Sequence, residues 1–178
     1  MKRNLIAVSG THGTSKSSTA YQIAADMKRN GYNVVVIDEL ARECPLKINQ
    51  EATELTQYWI LVSQMKREIE LMDKYDYVIS DRSVFDTLSY ATTLKLLEVN
   101  LDDIISHYVK RYYKYIFLLD PNGFNYHIND GIRDMDPDFR MEIHNNLIRL
   151  YDKFNINYIH METAEVLKGY INRVFNLK

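Results

Sequence analysis

Gly10-Thr11-His12-Gly13-Thr14-Ser15-Lys16-Ser17-Ser18 follows directly on the apolar run Leu5 to Val8. These are residue types that can hold a nucleoside triphosphate. The pattern for such a loop is Gly, four residues, Gly, Lys and Ser or Thr, and only Ser15 departs from it, standing where the second Gly is expected. A strand ending near Val8, a turn through Gly10 and Gly13 and a helix opening near Lys16 would aim several backbone N–H groups and a helix N-terminus at one anion. Lys16 would then bridge the β- and γ-phosphates, and Ser17 would place its hydroxyl on Mg²⁺. Thr11, His12, Thr14, Ser15 and Ser18 complete the expected donor-binding set.

Four further groups could work on a phosphoryl group or its acceptor. Asp38-Glu39, with Arg42 close behind, ends an apolar run, and a carboxylate there could take a proton from an attacking hydroxyl or hold Mg²⁺ through water. The same pair could equally cap a helix start. Asp81-Arg82 ends another apolar run. Asp81 is expected on the metal side, and Arg82 against phosphate charge, where a planar guanidinium serves best. Asp86 and Tyr90 lie four residues apart on an expected helix and can face one cleft with the substrate. Arg133 and Arg140 flank Asp134-Met135-Asp136-Pro137, with Asp130 nearby to orient them. Arginines arriving on a closing flap stabilise the charge that spreads over the transferred oxygens. Which of Asp38, Glu39 and Asp81 serves as base stays open. The five histidines show no spacing for a zinc site.

Periodicity supplies the elements that must hold these groups. Ala20, Ile23, Ala24 and Met27 recur at helical spacing, and Gly31 stands where a glycine stops a helix. Residues 33–37 form a β-branched run, read as a strand covered on both faces. A long helix is expected over 51–74, a strand over 77–80, helices over 84–97 and 101–112, and a strand over 115–119. A helix face runs from Phe139 to Phe154, a last strand covers 158–160 and a closing helix 166–175. Between them, 121–137 is polar and rich in turn residues, as a lid would be. Strand and helix alternate throughout, so the expected fold is α/β with a mostly parallel sheet in one domain over 1–178.

Composition narrows the partners. A formal charge of −2 over 178 residues gives no basic field for nucleic acid, although the run Lys110-Arg111-Tyr112-Tyr113-Lys114 is a candidate patch for a single strand. Cys44 is the single cysteine, which excludes an internal disulfide and suits a cytoplasmic protein. The N-terminal apolar run is too short for a membrane span.

Taken together, Gly10 to Ser18, Asp38-Glu39-Leu40-Ala41-Arg42, Ser80 to Tyr90 and Asn129-Asp130-Gly131-Ile132-Arg133-Asp134 resemble the small P-loop kinases. The likeness is to the AAA-like ATPase/kinase group related to the nicotinamide riboside kinase domain of the NadR proteins, and at greater distance to thymidylate and deoxynucleoside kinases. The resemblance implies a three-layer P-loop NTPase fold with a five-stranded parallel sheet, an Asp-Arg substrate region and an arginine-bearing lid. It also implies ATP and Mg²⁺ as donor and metal and a small nucleoside- or nucleotide-like acceptor, and it is compatible with a homodimer. Rival expectations are a regulatory NTPase acting through a protein partner and a polynucleotide 5′-kinase. Asp120-Pro121-Asn122-Gly123 gives the Asp-x-x-Gly of GTPases, but no Asn-Lys-x-Asp follows to select guanine.

Overall fold

Leu5–Ser9 forms the central strand β1, and all five of its side chains are buried. A strand covered on both faces must lie between two helical layers, and the structure shows how they arise. The protein is described by a computed structural model over residues 4–96, 101–123 and 136–177. The other strands are β2 (Val34–Ile37), β3 (Tyr77–Asp81), β4 (Tyr113–Leu119) and β5 (Ile159–Met161). The sheet order is β2-β3-β1-β4-β5, with every pairing parallel.

From β1 the chain travels outward to β2, and each later step to β3, β4 and β5 runs in the opposite direction. Right-handed crossovers therefore put the first connecting helix on one face and the later ones on the other. The alternation within β1 matches. Ile6 and Val8 pack on α1 (Lys16–Arg29) and α6 (Ala164–Val174) through Ile23, Met27, Leu167 and Ile171. Leu5 and Ala7 face α2 (Glu54–Met72), α3 (Val84–Thr93), α4 (Asp102–Tyr112) and α5 (Pro137–Lys153) through Leu61, Phe85, Val109 and Tyr151. This reversal of direction opens a crevice at the carboxyl end of β1, where ligands of such sheets bind. In register Val8 lies beside Asp81, so the loop after β1 and the turn after β3 share that crevice.

Local chemistry sets the helix ends. Asn30 caps α1, and the N–H groups of Gly31 and Tyr32 return to the carbonyls of Lys28 and Met27. That is a Schellman stop, with Gly31 at φ 87°. The helix expected from residue 51 starts at 54, because Thr53 and Thr56 satisfy each other's backbone N–H groups and a 3₁₀ turn over Asn49–Glu51 precedes them. The helix expected to reach 97 stops at 93, where Lys95 turns to φ 55° and Leu96 N–H reaches back to Ala91. Strand β4 begins two residues earlier than its apolar pattern suggests, since it leaves α4 without a loop. Among the described residues no helix is long and apolar enough to cross a membrane.

Candidate active site

The loop between β1 and α1 is shaped by backbone that most residues avoid. Gly10 has φ 143° and Gly13 φ 71°. A Cβ on Gly10 would stand 3.2 Å from the Leu119 carbonyl oxygen and 3.2 Å from Thr14 Oγ1. Ser15, the departure from the loop pattern, sits in the left-handed region at φ 57°, which explains why a glycine suits that place. Thr14 Oγ1 and Lys16 Nζ both donate to the Thr11 carbonyl, at 2.8 and 2.6 Å. Among the described residues, the amides of Gly13, Thr14, Ser15 and Lys16 donate to no other protein group. Lys16 is buried, and burial, with Arg82 nearby, brings its ammonium down to about 8. A buried cation beside free amides is a receptor for an anion.

Across the crevice, Ser17 Oγ donates to Asp81 Oδ2 at 2.5 Å. Asp81 is buried, its other oxygen Oδ1 has no hydrogen-bond partner, and burial pushes its carboxyl up. A buried carboxylate oxygen left over next to a loop hydroxyl fits one edge of a Mg²⁺ site. No group of three or more His, Cys, Asp or Glu is gathered for a metal among the described residues.

The paired carboxylates after β2 part company. Glu39 turns into the cleft and accepts from Arg82 Nε at 2.7 Å and Nη2 at 2.6 Å on one oxygen, and from Arg42 Nε at 3.0 Å on the other. Burial raises its carboxyl, but Arg82 and Lys16 outweigh burial and hold it at about 2. Asp38 is exposed, accepts from the Tyr21 hydroxyl on the outer side of α1 and does not line the cleft. The structure thus places Asp38 outside the cleft in which it was expected to meet substrate, because just beyond the end of β2 the two neighbouring side chains point to different sides.

Arg82 has φ 93° and lies over the Tyr90 ring at 5.3 Å, and its buried Nη1, 3.9 Å from Asp86 Oδ1, makes no hydrogen bond among the described residues. Tyr90 Oη is 3.1 Å from His12 Nδ1, so this tyrosine links loop and cleft. Asp86 also lies on the cleft wall, but both its oxygens are taken. Ser9 Oγ, Ser83 N and Ser83 Oγ reach Oδ2, each at 2.7 Å, and Gly10 N reaches Oδ1 at 3.0 Å. It braces the start of the phosphate loop against the start of α3, with Tyr151 joining Ser9 and Ser83 from α5. That geometry ties two loops together at the place where the spacing led to the expectation of a substrate contact. Arg140 stands on the first turn of α5, where Nη2 donates to the Pro121 carbonyl. Arg133, Asp130 and most of the expected lid at 121–137 lie outside the described residues.

Sequence periodicity missed the far wall. Thr56, Gln57 and Ile60 of α2 and Thr87 of α3 line the cleft. Gln57 is buried, and among the described residues its side chain makes no hydrogen bond. A second groove, lined by Thr19, Gln22, Ala164 and Lys168, meets the cleft at Ser15 and Ser18. The basic aromatic run 110–114 lies at the other end of the sheet, across the α4–β4 junction. Tyr113 is buried there, and Lys114 covers the rings of Tyr77 and Tyr115. A groove there, lined by Lys110, Tyr113, Lys114 and Tyr115, shares no lining residue with the cleft.

A family model described as AAA domain matches residues 5–167. Among solved structures, the NadR protein in complex with NR superposes with a TM-score of 0.75 at 19% identity, over 98% of this chain and 51% of that one. The chain thus spans about half the length of that relative. Thymidylate kinase from Ehrlichia chaffeensis superposes with a TM-score of 0.67 at 16% identity, over 96% of this chain and 98% of that one. No curated protein matches at a significant level. At these identities the likeness is one of fold: a three-layer α/β arrangement around a five-stranded parallel sheet.

Proposed function

The chain belongs to the AAA domain family, and from that premise we propose that it is an ATP- and Mg²⁺-dependent phosphotransferase acting on a small nucleoside, nucleotide or related metabolite. One observation carries the reading. The phosphate loop and the Glu39–Arg82 pair open on the same cleft, which continues past Ser15 and Ser18 into a second groove. Such a layout supports transfer between two substrates that meet at one phosphate, since hydrolysis needs beside the nucleotide only room for water.

Lys16 and the loop amides would hold the donor phosphates, and Ser17 and Asp81 would hold Mg²⁺, which when bound screens the phosphate charge. Glu39, ionised at neutral pH because Arg82 pins it, would accept a hydrogen bond from the acceptor hydroxyl and orient it. The hydroxyl oxygen then bonds to the γ-phosphorus as the bond to the ADP oxygen breaks. In a loose transition state the hydroxyl proton would pass late to Glu39 and from there to solvent, so a weakly basic carboxylate suffices. Arg82 would meet the charge on the transferred oxygens, with Arg133 proposed to join it.

The test is ADP release from ATP and Mg²⁺ across nucleosides, nucleoside monophosphates, nicotinamide riboside and 5′-hydroxyl oligonucleotides, with a control lacking acceptor. Release stimulated by one small-molecule class is expected. Release that ignores every acceptor would overturn the proposal in favour of a regulatory NTPase.

A further inference from the structure

The turn carrying Arg82 holds a non-glycine residue at φ 93°, a conformation that costs energy and persists only where its surroundings over-determine it. The surroundings come from the apolar side of the sheet. Gln64 on α2, 3% exposed, donates through Nε2 to the Arg82 carbonyl at 2.8 Å, and the same nitrogen lies 3.1 Å from Ser80 Oγ. Behind it Glu68, one helical turn on and fully buried, accepts from Gln64 Nε2 at 3.1 Å. The Glu68 carboxyl also takes the hydroxyls of Tyr113 at 2.6 Å and Tyr108 at 2.9 Å. Tyr113 Oη in turn accepts from the Val84 amide at 3.4 Å, on the other side of the same turn. One buried carboxyl thus anchors both arms of a clamp on residues 82–84, and a helix that could have filled this space with Leu or Met spends two polar side chains there.

We propose that Gln64, seated on Glu68, is a positioning residue that fixes the Arg82 backbone and thereby aims its guanidinium at Glu39 and the cleft. The proposal rests on the reading of Arg82 as the group that meets transferred charge. Gln64 touches neither substrate nor phosphate. Without its donor the Arg82 carbonyl loses a partner, and the turn relaxes toward ordinary backbone angles, swinging the guanidinium off Glu39.

The test compares wild type, Gln64→Leu, Arg82→Ala and the double variant. Two readouts are used: the Arg82 Nε–H signal in ¹⁵N NMR, and kcat against KM for ATP. In the wild type the Nε–H, donated to Glu39, is expected to be protected from solvent exchange. In Gln64→Leu that protection is lost, kcat falls about tenfold or more and KM for ATP stays within about twofold. The double variant is expected to be no slower than Arg82→Ala, because the two residues act as one unit. An unchanged Arg82 signal in folded Gln64→Leu, or losses that multiply in the double variant, overturns the proposal. If Arg82→Ala itself keeps full transfer, the role given to Arg82 in the proposed function fails, and the NMR signal alone then decides whether Gln64 positions it. Should Gln64→Leu not fold, Gln64→Met, unbranched and of similar length, carries the same measurements.

Discussion

Glu68 gives the sharpest quantitative prediction. Burial pushes its carboxyl up, hydrogen bonds from Tyr113, Gln64, Tyr108 and Ser80 pull it back, and the balance leaves it at about 7 against an ordinary 4.5. The groups facing it come from α2, β3, α4 and β4, and both tyrosines are themselves raised by burial and remain neutral donors. A carboxyl whose folded pKa lies above its unfolded one binds more protons in the native state, so its contribution is fully present below about 4.5 and is lost as pH rises through 7. At about 1.4 kcal/mol for each pH unit between the two values, the loss is about 3 kcal/mol. The perturbation is Glu68→Gln. Its amide oxygen can still accept from Tyr113 and Gln64, its nitrogen can donate to the Tyr108 oxygen, and it does not titrate. Urea unfolding of both proteins at pH 5, 6, 7 and 8 is the assay. The stability of Glu68→Gln relative to wild type should rise by about 3 kcal/mol from the lowest pH to the highest, all other titrations cancelling in the difference. Two curves that run parallel across that range would refute the reasoning.

Ser15→Gly should leave the protein as stable or stabilise it by up to about 1 kcal/mol, since a left-handed residue costs roughly 1–2 kcal/mol and glycine's extra unfolded entropy returns part of that; thermal unfolding that drops by several degrees would count against it. Gly10→Ala should destabilise by roughly 1–3 kcal/mol and weaken ATP binding by calorimetry, because its Cβ would crowd the Leu119 carbonyl and Thr14; unchanged affinity and stability would show that the loop gives way. Asp86→Asn should cost roughly 2–4 kcal/mol of stability, because four donors lose their charged acceptor. A raised KM for acceptor at unchanged stability would instead make Asp86 the substrate contact that its spacing suggests.

The sequence by itself determined the phosphate loop and most of the frame around it. Gly10 to Ser18 is contiguous, and its shape follows from where two glycines and a lysine fall along a few bonds. The strands and helices were legible for a similar reason: burial imposes a period of two or 3.6 on a local stretch, and caps such as Gly31 act within one turn. Ends set by a polar pair or a left-handed turn, as at Thr53 and Lys95, were read less well, because a few residues outweigh the periodicity. Only the tertiary structure decided where each acid points. Asp38 and Glu39 are neighbours in the chain and face opposite ways. Asp86 is occupied by Ser9 and Gly10 across 76 or more positions of sequence, and Gln64 reaches Arg82 from another layer. The role of a polar side chain is set by which donors and acceptors come within about 3 Å of it. Those partners are brought together by the winding of the sheet, which no local pattern records.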